Sequence, residues 1–405
     1  MTYYQRQGTV PAKRFTELRT DDGTLAYEEL ITSLGFLGPS SLLYRRHQPT
    51  RVLRTTVGQG PMLRHGDDGV VRNRLLKVAD VRPGLAPVAE PPIERAGLHL
   101  VRSDPSPARD ELASRIPLYF NDDFVYSVSR PASTEQRFQR NGFADEVLAV
   151  VNGTGVIETM FGELAYRPLD IIYIPRATTW RLVPHDDVEQ LLVVIETSSP
   201  CGPPAHYRNS SGQYLPRAIY AERDLRVPVL QPPVLDGGEF VVSVKTGDVV
   251  TDHVMANHPF DVVGWDGALY PYAFNMSDIE TLSGRVHLMP DMHQVLVSAG
   301  VMICAITPGR LPDHRSAYPA QADHTADCDE IYYRFCTDDG SAIPGIGTIT
   351  MHTRAAAHGP KPGFENKRLP ERSPIFGLIL DVFRPVKLTE HALAVDDATY
   401  AQAWL

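Results

Sequence analysis

The sequence predicts a mainly β protein of sandwich or barrel domains with few short helices, for three reasons. Its apolar runs are short, rich in β-branched and aromatic residues, and separated by Gly, Asp or Pro turns. Pro (34) and Gly (30) are both frequent, which favours many short strands over long helices. With 405 residues, 43% of them hydrophobic and 22% charged, the chain is long enough for two or three domains with ample core.

The N-terminal half is predicted as one unit, 1–240. Its first hundred residues are rich in Pro, Arg and Gly and predict an irregular arm, in which 25–36 is either a helix or extended and 40–50 contains a strand. Dense β structure is expected from about 118 to 200, followed by a Pro-rich connector up to residue 240.

The second unit is predicted over 241–405, where strand-like runs resume and ten of the fourteen histidines lie at or beyond His206. This bias places the chemistry in the C-terminal half. Only short helices are expected, one around 103–117 and one over the last ten residues, where Asp396 or Asp397 can cap it.

The composition and the sequence patterns argue against several classes of protein. A net charge of -10 argues against a nucleic-acid partner, and apolar runs such as 295–306 are too short to span a bilayer. Residues 1–14 lack the apolar core of a signal peptide, and the four cysteines show no C-x-x-C spacing. We therefore expect a cytoplasmic protein without a disulfide framework, in which Cys328 and Cys336 are buried thiols rather than metal ligands.

Residues 162–180 have the same order of features as the second motif of a cupin barrel: an Asp turn, an apolar strand, a Pro and a further strand. Trp180 stands where a metal-binding cupin places a histidine. The first motif likewise has Asp145 and Glu146 but no histidine. The first barrel is therefore predicted to be structural.

A candidate metal site surrounds a predicted hairpin. Glu330 follows His324 after five intervening residues, and after a Gly/Pro-rich turn the return strand brings His352 and His358. Two imidazoles and one carboxylate form the facial triad of ferrous oxygenases, which leaves positions open for substrate and dioxygen. Any one of these histidines could instead be a scattered surface residue, but their grouping around one hairpin favours a metal.

The facial triad needs only three protein ligands, so one candidate is left over. His352 is either an alternative ligand to His358 or a residue beside the metal that contacts substrate. His287 is either a structural histidine, which composition alone favours, or an acid or base, since a neutral imidazole can accept a phenol proton. The aromatic segment 257–275 suits a pocket for a planar ring, or else forms ordinary barrel core.

Over residues 255–365 the chain resembles the homogentisate 1,2-dioxygenase family. The segment HPFDVVGWDGALYPYAFN is similar to that family's PFDVV-x-W-x-G-x-YxPYxYN pattern. The spacing from His324 to Glu330 repeats the family's H-x5-E ligand pair, and AHGP around His358 matches its PHGP motif. Weaker similarities extend over nearly the full chain.

The resemblance implies a bicupin-like fold, two β-sandwich or jelly-roll domains with an extended N-terminal arm. It also implies Fe(2+) as cofactor, a homo-oligomer (trimer or hexamer), and cleavage of homogentisate by O2 to maleylacetoacetate in tyrosine and phenylalanine catabolism. The implied metal ligands are His324, Glu330 and His358. His287 would be the catalytic residue, and the implied substrate contacts are His352, His358, Tyr270 and Tyr272.

The sequence departs from the family where Asp266 replaces a histidine after Trp265, and where the segment 331–351 is about two residues shorter. A related dioxygenase acting on a different hydroquinone-type acid is therefore a second candidate function. A non-redox cupin metalloenzyme, such as an isomerase or hydrolase, is a third, and a binding or storage protein is a fourth.

Overall fold

The computed structural model describes residues 3–57, 111–112, 114–132, 137–185, 188–216, 218–246, 249–279, 292–310, 327–343, 345–358, 372–397 and 400. His287, His324 and most of the predicted helix around 103–117 lie outside these residues.

The strands are β1 (Gln5–Gly8), β2 (Tyr27–Thr32), β3 (Ser40–Arg45), β4 (Val52–Val57), β5 (Arg115–Phe120), β6 (Phe124–Ser129), β7 (Phe138–Asn141), β8 (Asp145–Asn152), β9 (Gly155–Thr159), β10 (Gly162–Tyr166), β11 (Asp170–Ile174), β12 (Thr179–Pro184), β13 (Leu191–Thr197), β14 (Gly237–Thr246), β15 (Val249–Asn257), β16 (Val262–Gly267), β17 (Tyr272–Asn275), β18 (Met292–Val297), β19 (Val301–Ile306), β20 (Gly309–Arg310), β21 (Asp329–Thr337), β22 (Ile349–His352), β23 (Arg372–Ser373), β24 (Ile375–Val382) and β25 (Lys387–Leu388). The helical segments are the 3-10 turns Ala205–Tyr207, Glu222–Asp224 and Met276–Asp278 and the helix α1 (Glu390–Ala394). The predicted fold class, mainly β and bicupin-like with few short helices, is confirmed.

Two seven-stranded sheets form the first sandwich. Their strand orders are β10-β9-β12-β7-β14-β15-β4 and β17-β11-β8-β13-β6-β5-β25. Fully buried side chains from both sheets meet between them, including Ile157 and Leu182 from one and Leu148, Ile172 and Val194 from the other. This interior is the core that the dense apolar runs of 118–200 predict.

The second of these sheets is buried on both faces. Alternate residues of its central strands, such as Val147, Ile171 and Val193, point away from the sandwich interior and pack with Val295 and Leu380 of a further sheet. That sheet has five strands in the order β18-β19-β24-β21-β22. Burial on both faces explains why β8, β11 and β13 are continuous apolar runs rather than alternating ones.

The strands between residues 241 and 275 pair with the first sandwich. β14 pairs in parallel with β7, and β17 pairs with β11, whereas the five-stranded sheet starts at Met292. The domain boundary between residues 240 and 241 stays a prediction. Sheet pairing assigns strands on both sides of it to the same sandwich.

The N-terminal arm is a sheet. β1, β2 and β3 join β16 in the order β1-β16-β3-β2, so 25–36 contains an extended strand rather than the helix that the sequence also allowed. The Arg14 Nε donates to the Asp266 carboxylate at 2.6 Å, and its guanidinium also bonds the Asp266 carbonyl oxygen. Asp266 is buried. Its carboxylate therefore fastens the arm to β16.

A buried ion-pair network lies inside the first sandwich. The Trp180 Nε1 donates to Glu146 at 3.1 Å, and the Arg115 guanidinium bonds both Glu146 and Glu111 at 2.7 Å. Glu196 extends the network. Arginine and glutamate side chains thus occupy the barrel that the sequence predicts to be structural.

The C-terminal region contains the helix α1, whose cap is Thr389: its hydroxyl accepts from the Ala392 N–H. The helix predicted over the last ten residues lies largely outside the described residues, which resume only at Tyr400. In the described part of the chain no helix is long and apolar enough to cross a membrane. All four cysteines are free thiols; Cys328 is buried and Cys336 partly buried.

Candidate metal centre

The hairpin β21–β22 places a carboxylate opposite an imidazole. Its antiparallel register pairs Glu330 with His352. Along β21 the odd residues Ile331, Tyr333 and Phe335 are buried in the core. Since successive side chains point to opposite faces of a strand, Glu330 lies on the face away from that core. The sequence periodicity of β21 therefore orients the carboxylate.

His358 reaches the same face through a short turn after β22. The Asp329 carboxylate accepts from the backbone N–H of Arg354 at 2.9 Å and from its Nε at 3.1 Å. Ala355 adopts a left-handed conformation, with φ of 60°. Non-glycine residues adopt this conformation only when their surroundings enforce it, and such residues cluster at functional sites. The buried Asp329 thus anchors the turn that carries His358.

Three potential ligands converge at this point. Ligand atoms of Glu330, His352 and His358 all lie within 4.8 Å of one another. The His352 Nδ1 is 3.1 Å, and the His358 Nε2 is 3.8 Å, from the Glu330 Oε1. The two imidazole rings stack with centroids 4.1 Å apart. All three side chains remain slightly exposed, at 11–13%, so small molecules have access.

This donor set fits a divalent metal. Metal bonds of about 2.1 Å at right angles place neighbouring ligand atoms about 3 Å apart, close to the separations observed here. The His358 Nδ1 lies 3.1 Å from the carbonyl oxygen of Ala356, which can only accept. Nδ1 therefore carries the proton in the neutral ring, and the unprotonated nitrogen is Nε2, which lies on the Glu330 side. Metal-binding histidines are commonly oriented by a hydrogen bond of this kind.

Tyr400 adds a hydroxyl to the site from the far end of the chain. Its oxygen lies 3.4 Å from the His352 Nε2. Burial raises the pKa of Tyr400, so this hydroxyl is protonated near neutral pH. A neutral hydroxyl can either donate to His352 or accept from it. Tyr400 therefore fixes the orientation of a ring whose other nitrogen faces Glu330.

The structure brings Glu330, His352 and His358 together in one cluster, and the assignment of Glu330 and His358 as metal ligands stays a prediction. His324, the remaining predicted ligand, and His287, the predicted acid or base, lie outside the described residues. Both interpretations of His352, as a ligand and as a neighbour of the metal, therefore stay predictions.

Tyr270 and Tyr272, the two predicted substrate contacts, are fully buried in the core. The Tyr270 hydroxyl donates to the carbonyl of Tyr3 at 2.7 Å. The Tyr272 ring packs on Tyr173 with centroids 5.0 Å apart, and the Tyr272 hydroxyl is buried without a hydrogen-bond partner in the described part of the chain. These contacts place both rings among the aromatic residues that support the first sandwich.

Sequence reasoning missed three residues at the site: Asp329, Arg354 and Tyr400. Alternation along β21 makes Asp329 and Glu330 point to opposite faces. The sequence could therefore have shown that Asp329 is turned to the buried face of the strand. Arg354 and Tyr400 are brought in by the turn and by the C-terminal segment. No local pattern indicates either.

Comparison with known proteins gives both family and full-length similarities. A family model described as homogentisate 1,2-dioxygenase N-terminal matches residues 124–276. A protein of Saccharolobus solfataricus described as "Putative dioxygenase SSO1533" is 29% identical over 411 residues, which cover 100% of this chain and 99% of the relative. The homogentisate 1,2-dioxygenase of Emericella nidulans is 24% identical over 209 residues, covering 49% of this chain and 42% of that protein.

Among solved structures, a cupin 2 conserved barrel domain protein from Leptotrichia buccalis aligns with 69% of this chain and 91% of its own, at 10% identity and a TM-score of 0.38. The full-length relative and the family model carry the functional comparison. Both are described in terms of a dioxygenase, and each is a protein or family to which this chain is similar.

Proposed function

We propose that this protein is an Fe(II)-dependent dioxygenase that cleaves the ring of homogentisate to maleylacetoacetate. The observation that carries the proposal is the cluster of Glu330, His352 and His358 on one hairpin, in a chain whose full-length relative is described as a dioxygenase. A carboxylate with imidazoles is the donor set of oxygen-activating ferrous sites.

The proposed ligands are His324, Glu330 and His358. His358 is supported by its Nδ1 hydrogen bond to Ala356, the kind of contact that orients metal-binding histidines, and by the position of its Nε2 beside Glu330. His352, the third member of the observed cluster, is proposed to contact the substrate, and its participation as a ligand in place of His324 is the alternative. When bound, iron would supply electron transfer between the aromatic ring and O2.

The remaining roles fall to this chain's side chains. His287 is proposed to accept the proton of a substrate hydroxyl, since an imidazole can do so near neutral pH. His352, oriented by Tyr400, would hold a polar substituent of the ring. Tyr270 and Tyr272 stay predicted substrate contacts.

The proposed assembly is a homo-oligomer, a trimer or hexamer, in the cytoplasm. Four free thiols suit a reducing compartment. Light scattering of the purified protein measures the assembly directly: a mass of three or six times 44.9 kDa supports it, and a monomer contradicts it.

The deciding experiment is oxygen uptake by protein purified anaerobically and loaded with Fe(II), with homogentisate and gentisate offered separately. We expect uptake of one O2 per homogentisate and a ring-opened product absorbing in the near ultraviolet. The variant Glu330→Gln should be inactive, and Glu163→Gln, an exposed glutamate of β10, should match the wild type. Uptake with gentisate alone would contradict homogentisate as substrate, and turnover without O2 would contradict a dioxygenase.

A further inference from the structure

A cavity of about 30 Å³ lies between the N-terminal sheet and the outer face of the first seven-stranded sheet. Six of its lining residues carry the argument: Glu29, Arg45, Arg51, Arg140, His258 and Asp261. The strand β7 contributes Arg140 to this side. The neighbouring Gln139 points the other way, where it bonds Glu111 of the buried network. The cavity is therefore separate from both the sandwich interior and the candidate metal centre.

Arg45 is a cation of this cavity whose charge is balanced by two carboxylates. Its Nε bonds Glu29, its Nη1 bonds Asp261 at 2.7 Å, and the same Nη1 bonds the carbonyl of Pro259 at 2.8 Å. Although burial opposes its charge, Glu29 and Asp261 raise the pKa of Arg45 above its ordinary value. Its partners thus offset the loss of water.

Among the described residues, Arg140 has no carboxylate partner of this kind. Its Nε donates to the hydroxyl of Thr179 at 2.8 Å. The described residues offer no carboxylate within ion-pair distance of its guanidinium. Burial lowers the pKa of Arg140; the charge of Glu29 opposes this shift, and that of Arg45 adds to it. Arg140 is partly buried. A cation that loses part of its water without a counter-charge is unfavourable, and arginines in proteins normally find an anion.

The lining has an excess of positive charge and of donors. It contains three arginines, the third being Arg51, against the two carboxylates Glu29 and Asp261. The His258 Nδ1 accepts from the Phe260 N–H at 3.1 Å, so the neutral ring has its proton on Nε2 and acts as a donor there. Both carboxylates already bind Arg45. The charge and the donors of the lining therefore favour an anion as ligand.

We propose that this cavity binds a small oxyanion, a carboxylate or phosphate group, with Arg140 as its principal partner. The planar guanidinium presents paired N–H donors that match two oxygens of such a group. A single water needs about 10–15 Å³ of comparable space, so the cavity admits about two water-sized groups, the size of a carboxylate. The site joins the N-terminal sheet to the first sandwich and does not depend on the proposed function.

The test is isothermal titration of the full-length protein with sodium acetate or inorganic phosphate, at constant ionic strength maintained with chloride. We expect saturable binding of at least one of the two ions. Affinity should fall at least tenfold in Arg140→Gln and persist in Arg54→Gln, which removes an equal charge from an exposed pair with Glu239. Arg140→Lys keeps the positive charge and loses the paired N–H donors of the guanidinium. This variant should bind the ion more weakly than the wild type.

Thermal unfolding provides the second readout. The wild type should gain melting temperature with the bound ion, and Arg140→Gln should not. The absence of saturable binding for both ions, or equal binding by wild type and Arg140→Gln, would overturn the proposal. If Arg140→Gln does not fold, the same comparison made with Arg140→Lys decides.

Discussion

Glu330 and His352 face each other across the β21–β22 ladder, with the His352 Nδ1 3.1 Å from the Glu330 Oε1. Their proximity depends on the register of one hairpin. A shift of one residue in that register would turn His352 to the opposite face of the sheet. The hairpin thus sets the geometry of the site, and the turn after it adds His358.

Removing a ligand should remove the metal. We expect Glu330→Gln and His358→Ala to lower the affinity for Fe(II) by about tenfold or more, since loss of even a residue that supports a ligand costs this much. Metal content after dialysis, measured by atomic emission, checks this, with far-ultraviolet circular dichroism as the test of folding. Full metal content in either folded variant would contradict the ligand assignment.

Comparison of two histidine variants identifies the third ligand. If His324, Glu330 and His358 hold the metal, His324→Ala should lose iron, whereas His352→Ala should keep it and show a raised KM for the substrate. The reverse pattern would make His352 the ligand. Iron content and steady-state kinetics of both variants, prepared identically, decide between them.

Asp329 should act on the metal through the turn that it anchors. Asp329→Asn weakens the charged hydrogen bonds to Arg354, so we expect about tenfold weaker metal binding and a loss of about 1.5–3 kcal/mol in the free energy of unfolding. Chelator competition measures the first, and urea unfolding the second. The matched control is Asp338→Asn, which alters the exposed pair with Arg372. Unchanged metal affinity would assign Asp329 to stability alone.

Asp266 should stabilise the arm and leave the metal unaffected. Asp266→Asn removes the charge that binds the Arg14 Nε, and because Arg14 is partly exposed we expect a cost of about 1 kcal/mol. Metal content should stay at the wild-type value. Urea unfolding beside metal analysis tests both expectations. A changed KM for homogentisate would instead assign Asp266 a part in substrate binding.

The buried ion-pair network predicts that the free energy of unfolding depends on pH in the acid range. Burial opposes the charge of Glu196, but Lys245 and Arg115 outweigh it and lower the pKa of this carboxyl. A lowered pKa in the folded state means that the unfolded chain binds the proton more tightly. The stability Glu196 contributes is therefore present above its ordinary pKa and is lost as the pH falls below it.

The matching variant is Glu196→Gln, which leaves Lys245 without its carboxylate. Breaking a buried pair should cost about 3–5 kcal/mol at neutral pH. The difference from wild type should shrink as the pH falls through the acid range. Urea unfolding at a series of pH values measures it, and a difference independent of pH would show that Glu196 does not act through its charge.

Local patterns of the amino-acid sequence are sufficient to predict most strands of the first sandwich and part of the site. Short β-branched runs bounded by turns predict β5, β6, β8–β13 and the hairpin of Glu330 and His352, because pleat and turn chemistry are local properties. The acidic and imidazole residues with metal-ligand chemistry could be recognised in the same way. The alternation of buried and exposed positions along β21 also indicates that the Glu330 side chain points away from the core.

Contacts between groups far apart in the chain depend on the tertiary fold. Three examples are the contact of Tyr400 with His352, the pairing of Arg14 with Asp266 and the position of Arg140 beside Glu29 and Arg45. Their positions depend on how sheets pack and on which charges are withdrawn from water together. Those energies belong to the folded arrangement, and no short stretch of sequence contains them.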